Sequence, residues 1–224
     1  MFYLIISLAP VFIVLAYIYF RDRYEKEPVK LLIKALVAGS VIVIPVVFVE
    51  RFLISIYPFE RAVPDAMYNA FVVAGMTEEL FKFLALYLLI WNNPNFNEKF
   101  DGIVYAVFIS LGFAGIENIM YVTGGGQNIA LVRAFTAVPA HAIFGIQMGY
   151  FLGMARMYPG LRKSYTIKAA LYPVILHGIY DFVLMAEVPW LLTLFAPYLV
   201  CLYYSGFRKM KILSDASVYR DSLT

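Results

Sequence analysis

The side chains of this sequence best able to do chemistry lie inside its apolar stretches. Glu78 and Glu79 are adjacent, and Lys82 follows within one helical turn. Glu117 and Asn118, then His141, then His177 and Asp181 come later, each in an apolar run. Lys82 is four residues from Glu78 and three from Glu79, so one helical face holds a carboxylate–ammonium pair and a second carboxylate. His177 and Asp181 are also four apart and share a face. Two neighbouring carboxylates in a low dielectric resist double ionisation, so one needs a positive partner, a proton or a metal. Lys82 can satisfy one and leave the other to take a proton from water. A general base with a histidine beside it is an arrangement suited to hydrolysis.

The surroundings of these residues are hydrophobic throughout. Of 224 residues, 62% are hydrophobic and 15% charged, and the mean hydropathy is +0.77. A soluble domain averages about 45–50% apolar and about 25% charged. The composition excludes a disordered chain and argues against a soluble globule. The 14 glycines and 11 prolines follow no period, which excludes a collagen-like repeat. The fold class expected is all-α: a polytopic membrane helix bundle. A net charge of +3 gives no reason to expect nucleic acid. The single cysteine, Cys201, permits no intrachain disulfide and reads as a core or lipid-facing residue.

A spanning helix needs about 20 mostly apolar residues. Seven spans are predicted, over residues 2–20, 31–54, 66–91, 101–122, 130–156, 167–186 and 188–206, forming one membrane domain over 1–224. The first lacks a basic leader and a cleavage site, so it is expected to be retained as a span. Pro45 and Pro173 are expected to kink their helices, and Gly124-Gly125-Gly126 to turn the chain between spans. With the N-terminus outside, the inner segments carry Arg21, Arg23, Lys26, Lys30, Lys99, Arg156, Arg162, Lys163, Lys168, Arg208, Lys209, Lys211 and Arg220. The outer segments carry only Arg51, Arg61 and Arg133. Basic residues favour the cytoplasmic side, so the expected topology puts the N-terminus outside and the C-terminus in the cytoplasm.

Glu78, Glu79, Lys82, Glu117 and Asp181, with both histidines, then fall inside the spans. At about 1.5 Å per helical residue, Glu78 and His141 lie roughly 17 Å from the outer end, His177 roughly 14 Å, and Glu117 and Asp181 roughly 8 Å. Singly, each has a structural reading. Glu79–Lys82 makes a clamp, His141 a contact between helices, His177–Asp181 a hydrogen-bonded pair, and Glu117-Asn118 an interfacial group. Asp101 suits a helix N-terminus. Tyr105 and Tyr121 suit an interfacial belt or a donor role behind the site. Convergence of four helices at similar depth favours one polar pocket opening outward.

Five ordered blocks carry a family resemblance: Glu78-Glu79-x-x-Lys82; Asp101-Gly102-Ile103-Val104-Tyr105; Gly112-Phe113-Ala114-x-x-Glu117-Asn118-x-x-Tyr121; His141-Ala142-x-Phe144-Gly145; and His177-Gly178-Ile179-Tyr180-Asp181. Their order over residues 78–181 resembles the PrsW family of bacterial membrane proteases, and the Arg21-Asp22-x-Tyr24-x-x-Glu27-Pro28 block also fits. The resemblance implies a multi-pass protein of the bacterial cell membrane that makes the site-1 cut in a single-pass anti-sigma factor. That cut begins the release of an extracytoplasmic-function sigma factor under envelope stress. The family is in turn similar to the CAAX prenyl endopeptidases and abortive-infection membrane proteases. That likeness implies Glu78 as general base helped by His141, Glu79 held by Lys82, and His177 with residue 181 at the oxyanion. The sequence departs from that pattern twice. Lys82 stands where the CAAX enzymes have an arginine one residue later. Asp181 stands where an amide is common, and an ionised carboxylate cannot donate to an oxyanion. Asp181 suits instead a role fixing the tautomer of His177.

No cofactor is expected. Zinc held by Glu78, His141 and His177 is the alternative, since two histidines and a carboxylate leave an open water position. The metal-free reading is preferred because the pocket offers a base and a histidine without an ion. Two other functions fit some of these residues. A proton-coupled transporter would use a chain of intramembrane Glu, His and Asp, although no inverted repeat is visible. A scaffolding membrane protein would use the same groups as structural clamps.

Overall fold

The computed structural model describes residues 2–57 and 62–220, with the side chains of 2–4, 6 and 124–130 left aside. The described chain is helical with no strand: α1 Phe2–Arg21, α2 Val29–Ser55, α3 Ala62–Tyr68, a π-helical segment Asn69–Met76, α4 Thr77–Ile90, α5 Lys99–Phe135, α6 Ala137–Met157, a short 3₁₀ turn Pro159–Leu161, α7 Arg162–Met185 and α8 Pro189–Asp215. Among the described residues, five helical stretches are long and apolar enough to cross a membrane: Val29–Ser55, Lys99–Thr123, Leu131–Met157, Pro159–Met185 and Pro189–Asp215. Ser7–Arg21 is a shorter apolar helix. Phe12, Phe48, Leu88, Phe135 and Val200 point outward, while Glu79, Lys82 and Asp101 are fully buried. A bundle whose outer surface is apolar and whose interior holds charge is one solvated by lipid.

α5 is the central helix. In its apolar stretch 78% of the residues are buried, against 11% in α8. Small residues let α5 and α6 approach closely: a Cβ on Gly149 would stand 2.2 Å from the Gly102 carbonyl oxygen. Such contacts replace the hydrophobic driving force that lipid removes. The same device seats α7 on the π segment, where a Cβ on Gly178 would stand 2.2 Å from the Phe71 ring.

Two sequence expectations need correction. The predicted 66–91 helix is not one regular helix. It is a continuous helical path in three segments, and the π-helical eight residues end immediately before Thr77-Glu78-Glu79. The predicted turn at Gly124-Gly125-Gly126 is helical, and α5 runs on to Phe135, breaking only at Thr136. Even so, Arg133 bonds Glu117 and Asn118, sixteen and fifteen residues back. A straight helix would separate those partners by roughly 22–24 Å, beyond the reach of their side chains, so the axis bends between them. Glycine runs permit such a bend without ending the helix. Pro45 and Pro173 lie inside α2 and α7, as expected. Arg61 lies outside the described residues.

The end of the bundle bearing residues 22–28, 91–98 and 158–161 collects carboxylates. Burial pushes the Asp22 carboxyl up to about 6 and the Glu27 carboxyl up to about 7. Asp101 caps α5 from its third position, accepting from the backbone N–H of Glu98 at 2.7 Å and of Asn97 at 2.9 Å.

Candidate functional site

The polar cluster forms where the π segment passes into α4, beside α5, α6 and α7. Lys82 is its hub. Its ammonium donates to Glu78 Oε2 at 2.9 Å, Glu79 Oε1 at 2.8 Å and His141 Nδ1 at 3.2 Å. An ammonium has three donors and no lone pair, so these contacts use it fully and His141 Nδ1 must accept. The His141 proton is thereby assigned to Nε2, which donates to Glu117 Oε2 at 2.9 Å. Glu117 also pairs with Arg133 at 2.8 Å. Beneath the hub, the Phe113 ring lies 4.1 Å from the Lys82 ammonium and returns part of its lost hydration.

His177 lies between two carboxylates. Its Nδ1 is 3.0 Å from Glu79 Oε1 and its Nε2 is 3.2 Å from Asp181 Oδ2. An imidazolium donates to both partners and a neutral ring to one. Phe144 stacks on His177 at 4.9 Å, and the two imidazoles meet edge to face at 5.2 Å. Two chains thus converge on Lys82: Arg133–Glu117–His141 from one side, and Asp181–His177–Glu79 from the other.

A cavity of about 590 Å³ leads from exposed Arg51 down to this cluster. Glu78, Glu117, His141, His177 and Asp181 line it. Glu79 and Lys82 do not; both are fully buried behind Glu78. The adjacent glutamates therefore occupy different environments, one facing open volume and one sealed in the ion-pair network. A helical step of about 100° per residue separates their faces, and the π segment ahead of them sets which face meets the cavity.

The structure brings Glu78, Glu79, Lys82, Glu117, His141, His177 and Asp181 together, as the sequence predicts. Lys82 departs from expectation by holding both glutamates. Asn118 flanks the cluster, accepting from Arg133 Nε at 2.9 Å and donating to the Ser7 carbonyl at 2.8 Å. Tyr105 is elsewhere: its hydroxyl donates to Glu27 Oε2 near the opposite end. It stands twelve residues before Glu117 on α5, roughly 18 Å along the axis. Sequence reasoning missed Glu50 and the role of Arg133. Glu50 lines the cavity from α2, and its signal was a carboxylate closing the run Val46-Val47-Phe48-Val49. Arg133 read only as an outer-loop positive charge.

Comparison with known proteins shows the family of the chain. A sequence model described as the PrsW family intramembrane metalloprotease matches residues 27–206. Protease PrsW of Bacillus subtilis (strain 168) is similar at 36% identity over 206 residues, covering 92% of each chain. Protease PrsW of Clostridioides difficile (strain 630) is 35% identical over 213 residues, covering 92% of this chain and 89% of its own. Protease PrsW of Oceanobacillus iheyensis is 34% identical over 212 residues, covering 95% of this chain and 96% of its own. No solved structure matches.

The family description implies a metal, and the donors fit one by type. Glu78, Glu79, His141 and His177 each offer a ligand atom within 4.8 Å of the others. Glu79 Oε2 is buried and accepts no hydrogen bond. Imidazole nitrogens with carboxylate oxygens are a zinc-type set. Three of the same residues also share the Lys82 ammonium, which already brings positive charge to the cluster.

Proposed function

The chain belongs to the PrsW family of intramembrane proteases, and from that premise we propose that it makes the site-1 cut in a single-pass membrane anti-sigma factor. As a member it is a peptidase and a multi-pass bacterial membrane protein. The transporter and scaffold readings lose their ground, since the matched family and the named relatives are proteases.

The observation that carries the catalytic assignment is the separation of the two glutamates. Glu78 faces the cavity, while Glu79 and Lys82 are sealed behind it. In this reading Glu78 takes a proton from a water in the cavity. The water oxygen bonds to the scissile carbonyl carbon, and charge moves onto the carbonyl oxygen. His177, bordering the same cavity with its ring nitrogens on Glu79 and Asp181, brings positive character beside that oxyanion when it is an imidazolium. As the carbon–nitrogen bond breaks, the proton held by Glu78 passes to the leaving amine. Glu79 and Asp181 orient His177, and Glu117 orients His141, which helps hold the ammonium that fixes Glu78. No cofactor is needed for these steps.

A zinc-dependent form of the same protease is the second reading, favoured by the four ligand atoms within 4.8 Å and the orphaned Glu79 oxygen. Glu78, His141 and His177 would hold the ion, which when bound supplies Lewis acidity and a more acidic water.

The topology proposed has seven crossings in one membrane domain over 1–224, the N-terminus outside and the C-terminus cytoplasmic. Two of the crossings are α1 and the broken path from α3 to α4. Supporting it, Arg51 lies at the cavity end, while Arg23, Lys26, Lys99, Arg162 and Lys163 lie at the other. The cavity then opens outward, as a first cut on the outer side requires.

Co-expression with a tagged anti-sigma factor from the same genome tests the substrate. A truncated tag product on immunoblot is expected with the wild type and not with Glu78→Gln. An intact substrate beside well-expressed wild type would reject this partner. Loss of the product on membrane-permeant chelation, with return on zinc, would replace the metal-free mechanism by the zinc reading.

A further inference from the structure

At the end of the bundle away from the cavity, a second set of carboxylates is gathered without a cation. Glu25 and Glu27 come from the segment between α1 and α2, and Asp101 from the first turn of α5. One carboxylate oxygen of each lies within 4.8 Å of the other two. Glu27 is 3% exposed and Asp101 0%. Glu25 Oε2, Glu27 Oε1 and Asp101 Oδ1 are all shut away from solvent and accept no hydrogen bond.

The opposite oxygen of each carboxylate is held. The Tyr105 hydroxyl donates to Glu27 Oε2, and the Asn97 side-chain amide donates to Glu25 Oε1 at 3.0 Å. Two backbone N–H groups donate to Asp101 Oδ2. Each carboxylate is thus fixed by one oxygen and left with the other unsatisfied. Neighbouring cations are turned elsewhere. Lys26 donates to the Tyr19 carbonyl and lies 4.5 Å from the Tyr19 ring, and Lys99 meets the Tyr158 hydroxyl at 3.3 Å. Among the described residues, none of the three carboxylates makes an ion pair.

We propose that Glu25, Glu27 and Asp101 form a binding site for a hard divalent cation of the magnesium–calcium class, which ties the α1–α2 segment to the start of α5. Three carboxylates gathered this closely, each with a buried oxygen that accepts no hydrogen bond, are strongly unfavourable, and a cation among them supplies the missing positive charge. The donors are oxygen alone, which selects a hard ion over zinc. Calcium–oxygen distances of about 2.3–2.6 Å allow two ligand oxygens to stand up to roughly 5 Å apart, so the observed spread fits; magnesium requires a small contraction or bridging water. Asp101 and Glu117 are sixteen residues apart on α5, roughly 24 Å along the axis, so this site is separate from the cavity cluster.

The test uses the full-length protein in detergent, stripped with EDTA and melted with added magnesium or calcium chloride at constant ionic strength. Three chains are compared: wild type, Glu27→Gln/Asp101→Asn, and Glu78→Gln as the control for ions acting in the cavity. The melting temperature of wild type and Glu78→Gln is expected to rise by roughly 5–10 °C at a hundredfold excess over Kd. The double variant is expected to show no rise and to be no less stable than metal-free wild type. Absence of a rise in wild type overturns the proposal, because the carboxylates then share a proton instead. An equal rise in the double variant, or a rise lost in Glu78→Gln, places the ion elsewhere and also overturns it. Should the double variant fail to fold, equilibrium dialysis of Glu78→Gln decides: one calcium or magnesium ion per chain supports the site, and none overturns it.

Discussion

Toward the cavity, Glu78, Glu79, Glu117 and Asp181 share the interior with Lys82, Arg133 and two histidines, and each carboxylate meets one of these groups at 2.8–3.2 Å. At the other end, Asp22, Glu25, Glu27, Glu98 and Asp101 make no ion pair among the described residues. Both groups contain buried acid, yet they solve the same electrostatic problem differently. The cavity cluster carries its own counter-charges, Lys82 and Arg133, and three of its carboxylates, Glu78, Glu117 and Asp181, line open volume. Each of its four carboxylates has a partner in place before any substrate arrives, which is the preorganisation a transition state exploits. The opposite cluster is oxygen alone, held by backbone, amide and phenol donors, and it asks for its counter-charge from outside. A buried acidic group marks chemistry only when its environment also supplies cations, histidine and access.

The comparison breaks first at Lys82. Lys82→Met would leave Glu78 and Glu79 buried without their shared ammonium, and a loss of about 3–5 kcal/mol is expected. Equilibrium unfolding in detergent checks it. A loss below about 1 kcal/mol would mean that the cavity cluster does not depend on its internal cation. Arg133 sharpens the same contrast more gently, because its side chain is 15% exposed. Arg133→Gln should cost about 1–3 kcal/mol of stability, less than the Lys82 change because His141 still bonds Glu117. It should nevertheless slow substrate cleavage by roughly tenfold, since Glu117 then orients His141 less firmly. Unchanged cleavage would remove Arg133 and Glu117 from the working arrangement.

Much of this contrast is readable from residue types, and the remainder is not for definite reasons. The cavity cluster is conspicuous because Glu78, Glu79, Lys82, His141 and His177 are costly inside apolar runs, and four-residue spacing fixes which of them share a face. The membrane helices follow from the length of those runs, and Pro45 and Pro173 lie inside α2 and α7 as expected. The π segment Asn69–Met76 left no mark, because its residues are ordinary helix and membrane types and its register is set by packing on α7 through Gly75 and Gly178. Arg133 was misread because its partner lies across a bend in α5 that a straight-helix argument forbids. Tyr105 was placed with the wrong group because one long helix serves both ends of the bundle. Depth along that helix, and not proximity in sequence to a motif, decides which cluster it joins. Glu50 carries little signal because it stands about one turn from the expected outer end of the 31–54 span, where a carboxylate reads as interfacial.

The central claim is that Glu78, alone of the adjacent glutamates, meets the water that attacks the peptide. The most direct measurement is single-turnover cleavage of a purified single-pass substrate in micelles by wild type and by Glu78→Gln, each first shown to melt cooperatively. Removal of a general base is expected to slow cleavage by about 10²–10⁴-fold. A well-folded Glu78→Gln protein that cuts at the wild-type rate would contradict the account.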